Sequence, residues 1–249
     1  MKRFWIGLCA GLMTLAVQAA EVRVAVAANF ARPMERIAER FTAASGHMVS
    51  VSVGSTGRLY SQIVAGAPFD LLLAADAKTP ARLVDEGLAT APNRFTYAIG
   101  QLVLWSAQPG RVDAEGAVLA ADGWQRLAIA NPQLAPYGEA AMAVLRARGL
   151  AERLAPRLVT GDSIAQAYQF VFTGNAELGF VALSQVLVPG QAGSGSVWRV
   201  PQALYPEIRQ DVVLLRRAET NPAAVALLAF LREPAARAVI ADFGYVTAD

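Results

Sequence analysis

The sequence holds one cysteine, one histidine and almost no surplus of either charge. Cys9 falls within the first twenty residues, so a chain that loses them has no thiol, no disulfide and no cysteine-based metal or nucleophile chemistry. His47, in Ser45-Gly46-His47, reads as a surface turn residue. A Ser/His/Asp triad would have to use it, and no GxSxG turn accompanies it. No group with metal-ligand spacing and no GxxxxGK[ST] phosphate loop occurs. The 22 basic and 20 acidic residues give a net charge of +2. Lys2 and Arg3 account for that excess, so the chain after the first twenty residues is neutral, which argues against nucleic acid as a partner.

Those first twenty residues read as a signal peptide. Lys2 and Arg3 form a basic start, and Phe4 to Val17 is an apolar run of about fourteen residues. Val17-Gln18-Ala19 supplies small residues for cleavage after Ala19 or Ala20. The run is short of the roughly twenty apolar residues that span a bilayer, and no later run is as long. Leu8 stands before Cys9 where a lipid-attachment signal needs a small residue. The expected product is an exported, soluble, periplasmic protein, large enough for one sizeable domain or two lobes.

Glu21 to Ala28 alternates and then turns wholly apolar, as a strand does. Phe30, Met34, Ile37, Ala38 and Phe41 recur at helical spacing. Val49 to Val53 reads as a strand, Leu59 to Val64 as a helix, Phe69 to Ala75 as a buried strand and Thr79 to Glu86 as a helix. This βαβαβα order predicts a mostly parallel sheet with helices on its faces. A second unit repeats it, with strands at Leu127–Ala130, Leu158–Val159, Gly179–Ala182 and Val197–Val200. Its helices are expected at Gly138–Arg148, Ala165–Phe172 and Leu183–Leu187, and Gln191 to Ser196 reads as a loop. Two long extended segments, Phe95–Ser106 and Ile208–Arg216, read as crossings between the units. The expected architecture is α/β with two lobes and a cleft between them. Residues 21–101 and 208–249 would form lobe I, and 102–207 lobe II.

Ligands of open α/β sheets sit where strands end and helices begin. Four such corners stand out: Ala27-Ala28-Asn29, Gly54-Ser55-Thr56-Gly57, Ala135-Pro136-Tyr137-Gly138 and Gly161-Asp162-Ser163-Ile164. Each puts uncommitted N–H groups at a positive helix end, which favours an anion by about 0.3–1 kcal/mol. Three of them also have a plainer reading, since Asn29, Ser55, Thr56, Asp162 and Ser163 are all ordinary capping residues, whereas Tyr137, between Pro and Gly, has little helical packing to make and carries a neutral O–H donor. Two corners from each lobe, rather than any one alone, point to an oxyanion. Asp70 and Asp76 are about 20 Å apart along a strand at 3.3 Å per residue, too far for shared acid–base work.

The chain resembles the periplasmic molybdate-binding proteins of ATP-binding-cassette importers. The likeness rests on VAVAANF, GSTGRLYSQIVAGAPFDLLLAAD, ANPQLAPYGEAA, LGFVALSQV, YPEIRQDVVLL and the terminal FGY. It implies a type II periplasmic binding protein fold that holds molybdate or tungstate by hydrogen bonds alone. Molybdenum would have no direct protein ligand, and there would be no cofactor and no catalytic residue. By position it implies Asn29, with Ala28 before it, at the first corner, and a hydroxyl from Thr56, with Ser55 adjacent, at the second. The third and fourth corners would give backbone N–H groups at Tyr137 and Ile164. Some members carry a ligand-binding tyrosine just after the LGxV strand, where this chain has Ala182; the Tyr137 phenol is expected to replace it. The resemblance also implies a monomer that delivers its ligand to membrane permease subunits. The same fold with sulfate or another oxyanion, or an exported hydrolase using Ser55 or Thr56, are the rival expectations.

Overall fold

The structure, a computed structural model, describes residues 19–187, 189, 190, 193 and 195–247. The apolar run Phe4–Val17 with Cys9, and Gln191, Ala192 and Ser194 of the expected loop, lie outside those residues.

Strand β1 (Glu21–Ala27) shows how the first sheet is made. Val22, Val24 and Val26 point to one face, where Met34, Ile37 and Phe41 of α1 (Ala31–Ser45) cover them. Ala25 points to the other, against Leu59 and Ile63 of α2 (Thr56–Val64). A strand buried on both faces is the signature of a sheet sandwiched by helices. Helix α1 stops at Gly46, whose φ of 74° lets its N–H reach back to Thr42 O at 2.9 Å.

The remaining strands of this sheet are β2 (Met48–Gly54), β3 (Leu71–Leu73), β4 (Ala89–Gly100) and β10 (Ile208–Leu215). Their order is β2-β1-β3-β10-β4. The first three are parallel, and β10 runs antiparallel to both neighbours. Helix α3 (Lys78–Asp85) joins β3 to β4. The second sheet has the order β7-β6-β8-β5-β9, from β5 (Leu102–Ser106), β6 (Leu127–Ala130), β7 (Leu158–Gly161), β8 (Leu178–Ala182) and β9 (Ser196–Arg199). Helices α4 (Pro136–Ala147), α5 (Ala151–Leu154), α6 (Ile164–Phe172) and α7 (Leu183–Val186) belong to this lobe. Helices α8 (Pro222–Phe230) and α9 (Pro234–Asp242) return to the first.

The segment expected as one strand, Phe95–Ser106, is two strands of different sheets that part at Gln101. The second crossing follows β9 and enters β10 at Ile208. His47 departs from its surface reading. It is buried, its Nδ1 accepts the Ala20 N–H at 3.2 Å, and its ring packs 6.1 Å from Phe41. Asp70 accepts the Arg23 N–H at 2.7 Å and Asp76 the Thr79 N–H at 2.7 Å, so both carboxylates organise local backbone.

The lobes meet through direct bonds. Gly57 N–H donates to Leu134 O at 3.0 Å, Lys78 Nζ lies 2.9 Å from Glu139, and Ser184 Oγ donates to Asn29 O at 2.9 Å. Within lobe II, α4 seats tightly on β6. A Cβ on Gly138 would stand 2.2 Å from Ala130 O. Gly138→Ala is therefore expected to lower stability by about 1–3 kcal/mol in chemical denaturation, the usual cost of overpacking. A variant as stable as the parent would show that α4 moves freely off β6.

Candidate functional site

Each corner residue singled out above lies at the start of a helical segment. Ala28 and Asn29 are the first two residues of a 3₁₀ turn, Ala28–Phe30, that runs into α1. Ser55 precedes α2 and Thr56 opens it; Tyr137 is second in α4, and Ile164 is first in α6. First-turn N–H groups have no acceptor within their own helix. All six residues line a single cavity between the lobes, together with Ala27, Ala75, Ala135 and Pro136. The cavity volume is about 10 Å³, on the order of one water-sized sphere. That is room for one compact solute without its hydration shell, and too little for an organic substrate.

The two hydroxyls of the second corner differ sharply. Thr56 Oγ1 accepts the Ala75 N–H at 3.0 Å and so ties α2 to the end of β3. Ser55 occupies the N-cap position of α2, yet its hydroxyl caps nothing. Ser55 Oγ is buried and has no hydrogen-bond partner among the described residues. An unpaired buried hydroxyl costs about 1–3 kcal/mol, so one aimed into a cavity calls for an acceptor there. Gly57, for its part, commits its N–H to Leu134 O, and a Cβ at Gly57 would come within 3.2 Å of that oxygen. Its smallness serves the approach of the opposite lobe.

Asn29 caps neither the 3₁₀ turn nor α1. Its Nδ2 donates to Gln210 Oε1 at 2.9 Å and to Tyr245 OH at 3.0 Å. The Tyr137 hydroxyl accepts from Gln210 Nε2 at 3.3 Å. Burial, with neighbouring phenols, holds the Tyr137 pKa well above its ordinary value, so the group is a neutral donor at physiological pH. Ser163 does act as a cap, accepting the Gln166 N–H at 3.4 Å, and the exposed Asp162 lines an adjoining groove, which it shares with Ser55 and Arg58, rather than the cavity itself. Among the described residues no charged side chain lines the cavity. Among the described residues no group of three His, Cys, Asp or Glu is placed to hold a metal ion.

Gln210, Tyr97, Tyr245 and Ser184, buried behind the cavity, were not singled out from the sequence. The first leaves a trace in the sequence: Arg209-Gln210-Asp211 is a polar run within β10, whose other residues are apolar.

Comparison with known proteins agrees with this architecture. The chain is 56% identical over 245 residues to the molybdate-binding protein ModA of Azotobacter vinelandii, covering 98% of this chain and 97% of that protein. It is 51% identical over 235 residues to the molybdate-binding protein ModA of Rhodobacter capsulatus, covering 94% and 92%. The solved periplasmic molybdate-binding protein of Azotobacter vinelandii superposes with a TM-score of 0.89 at 42% identity, over 92% of this chain and all of that one. A sulfate-binding protein of Mycobacterium tuberculosis shares the fold, with a TM-score of 0.75 at 15% identity. Residues 22–246 match the family of bacterial extracellular solute-binding proteins, and the chain belongs to it.

Proposed function

We propose that this protein captures molybdate, and tungstate with it, between its lobes and delivers the anion to an importer of the ATP-binding-cassette class. The observation that carries the reading is Ser55 Oγ, a buried hydroxyl without a partner in a cavity lined by helix starts. A doubly charged oxyanion supplies the missing acceptor. It would be held by the Ser55 hydroxyl, the Tyr137 phenol and the first-turn N–H groups of Ala28, Asn29, Thr56, Tyr137 and Ile164. Relatives at 56% and 51% identity that carry molybdate-binding names support this anion over sulfate.

The ligand's charge is met by neutral dipoles, whose donors must match the anion in size and number. A smaller oxyanion reaches fewer of them, at about 1–3 kcal/mol for each left unpaired. A hydrogenphosphate brings a proton for which a donor-lined site has no acceptor. Catalysis is not part of this reading. A hydrolase built on Ser55 would need His47 or a carboxylate as its base; His47 precedes β2 and Ser55 follows it, roughly 25 Å away along the strand, and no carboxylate among the described residues hydrogen-bonds to Ser55 Oγ. We further propose that the chain is exported to the periplasm with cleavage after Ala19 or Ala20, acts as a monomer, and meets permease subunits of the importer.

Calorimetric titration of the refolded, ligand-stripped protein tests the assignment. One-to-one binding of molybdate and tungstate, with sulfate at least about a thousandfold weaker, is expected. Sulfate binding as tight as molybdate would sink it.

The two hydroxyls of the second corner should respond oppositely. Ser55→Ala removes a hydrogen bond to a charged acceptor and is expected to weaken molybdate about tenfold or more, leaving the melting temperature of the stripped protein unchanged or raised. Thr56→Val strips the Ala75 N–H of its acceptor, so it should lower that melting temperature.

Affinity should also be flat from about pH 6 to about pH 9. The Tyr137 pKa is raised, so the phenol keeps its proton throughout that window, and binding falls only above the ordinary tyrosine range. A steep change near neutrality would mean that another titrating group faces the anion.

A further inference from the structure

The terminal Phe243-Gly244-Tyr245 leads from α9 to the interface between the lobes. Gly244 has a φ of 81°, and a Cβ there would stand 2.7 Å from Leu183 and 2.9 Å from Leu187 of the other lobe. That close passage sets Tyr245 into the interior, where its ring lies 5.4 Å from Phe30 in an edge-to-face pair. Val246 then bridges to Ile99 by two backbone bonds of 2.8 and 3.1 Å, next to the point where β4 leaves the first sheet. Phe243 to Val246 are therefore fixed beside the hinge.

The Tyr245 hydroxyl is the meeting point of three polar atoms. It lies 2.8 Å from Asn29 O, 3.0 Å from Asn29 Nδ2 and 2.9 Å from Ser184 Oγ. Ser184 Oγ in turn donates to Asn29 O. Asn29 and Tyr245 belong to the first lobe and Ser184 to α7 of the second. Asn29 also lines the cavity. One buried phenol thus touches a residue at the proposed anion site and a residue of the facing lobe. Opening the lobes by about 1 Å at this point would break the Ser184 bonds, which need 2.5–3.0 Å between oxygens. The hydroxyl is buried and its pKa is pushed up to about 12, so it remains a neutral donor.

We propose that Tyr245 is a positioning residue that couples the cavity to lobe closure, its hydroxyl holding Asn29 in place and locking onto Ser184 only when the lobes meet. The effect on anion release rests on the function proposed above; the effect on closure does not.

The two parts are tested separately in the mature protein. Lys78→Cys and Glu139→Cys put a thiol on each lobe; the native pair spans that gap with two long side chains that meet at 2.9 Å, so a short bifunctional thiol reagent is used to join the two cysteines, and no other cysteine follows Cys9. The rate of cross-link trapping in the ligand-stripped pair reports how often the lobes close. In that background Tyr245→Phe is expected to slow trapping about three- to tenfold, the loss of one neutral buried hydrogen bond. Ser184→Ala should do the same, and the double variant should be less than additive. In the parent background without the added cysteines, the same variants should speed molybdate release by a similar factor with little change in the association rate.

Trapping rates unchanged in both variants, or fully additive losses, would overturn the coupling. Slowed trapping in protein that binds no molybdate would leave the latch standing and reject the anion. Tyr245→Phe keeps the ring packed against Phe30; if it nonetheless fails to fold, Ser184→Ala alone carries the trapping and release measurements.

Discussion

A helix cannot satisfy its own first N–H groups, and this fold brings four helix starts to one cavity. The rest of the site follows from that constraint. Sheets buried on both faces send their helices out from the same strand ends, so the corners of the two lobes face each other across the crossings. A fixed cation at the centre would be costly to bury when the lobes approach, by several kcal/mol. Neutral dipoles carry a far smaller penalty, and most here have protein partners. What closure leaves without a protein acceptor is the Ser55 hydroxyl, beside first-turn N–H groups that have none within their own helices.

Polar groups around the cavity divide by what their neighbours leave them to do. The Thr56 hydroxyl oxygen ties α2 to β3, the Gly57 N–H joins the lobes, and the Asn29 side-chain amide anchors the buried amides and phenols beside the cavity. Gln210 Oε1 receives the Asn29 amide and lies 3.0 Å from Tyr97 OH, while its Nε2 faces the Tyr137 phenol. With its acceptor side engaged in this way, Tyr137 has its own proton to give. Arg94, one-third exposed, and the buried Asp211 pair at 2.7 Å on the strands of the crossings, and neither lines the cavity.

Much of this was legible before any coordinates. Apolar periodicity placed α1 and β1, and the strand-to-helix corners converge because parallel sheets leave them no other place to go. Boundaries were less visible. Phe95–Ser106 is continuous in sequence character, and only its division between two sheets breaks it at Gln101. His47 read as exposed because a lone imidazole after Gly46 has no local partner; the one it finds, Ala20 N–H, is 27 residues away. Ser55 and Thr56 could not be ranked, since either hydroxyl fits a helix start. What separates them is the Ala75 N–H, supplied from a different strand end. The same holds for Tyr245 and Ser184, whose meeting depends on how the chain end crosses to the other lobe.

Gly100 shows how closely hinge and site are joined. A glycine where one sheet hands the chain to the next invites a reading as a flexible joint. It does not use the left-handed region that glycine alone enters freely. Its distinguishing property is the space left by its missing side chain: a Cβ there would stand 2.2 Å from Tyr137 OH and 2.5 Å from Gln210 Nε2. The phenol of one lobe and the amide of the returning crossing meet over that bare backbone. Gly100 is thus required by packing, and the contact it permits seats the Tyr137 hydroxyl against Gln210. The crossing strands and a residue that lines the cavity consequently pack on the same few atoms.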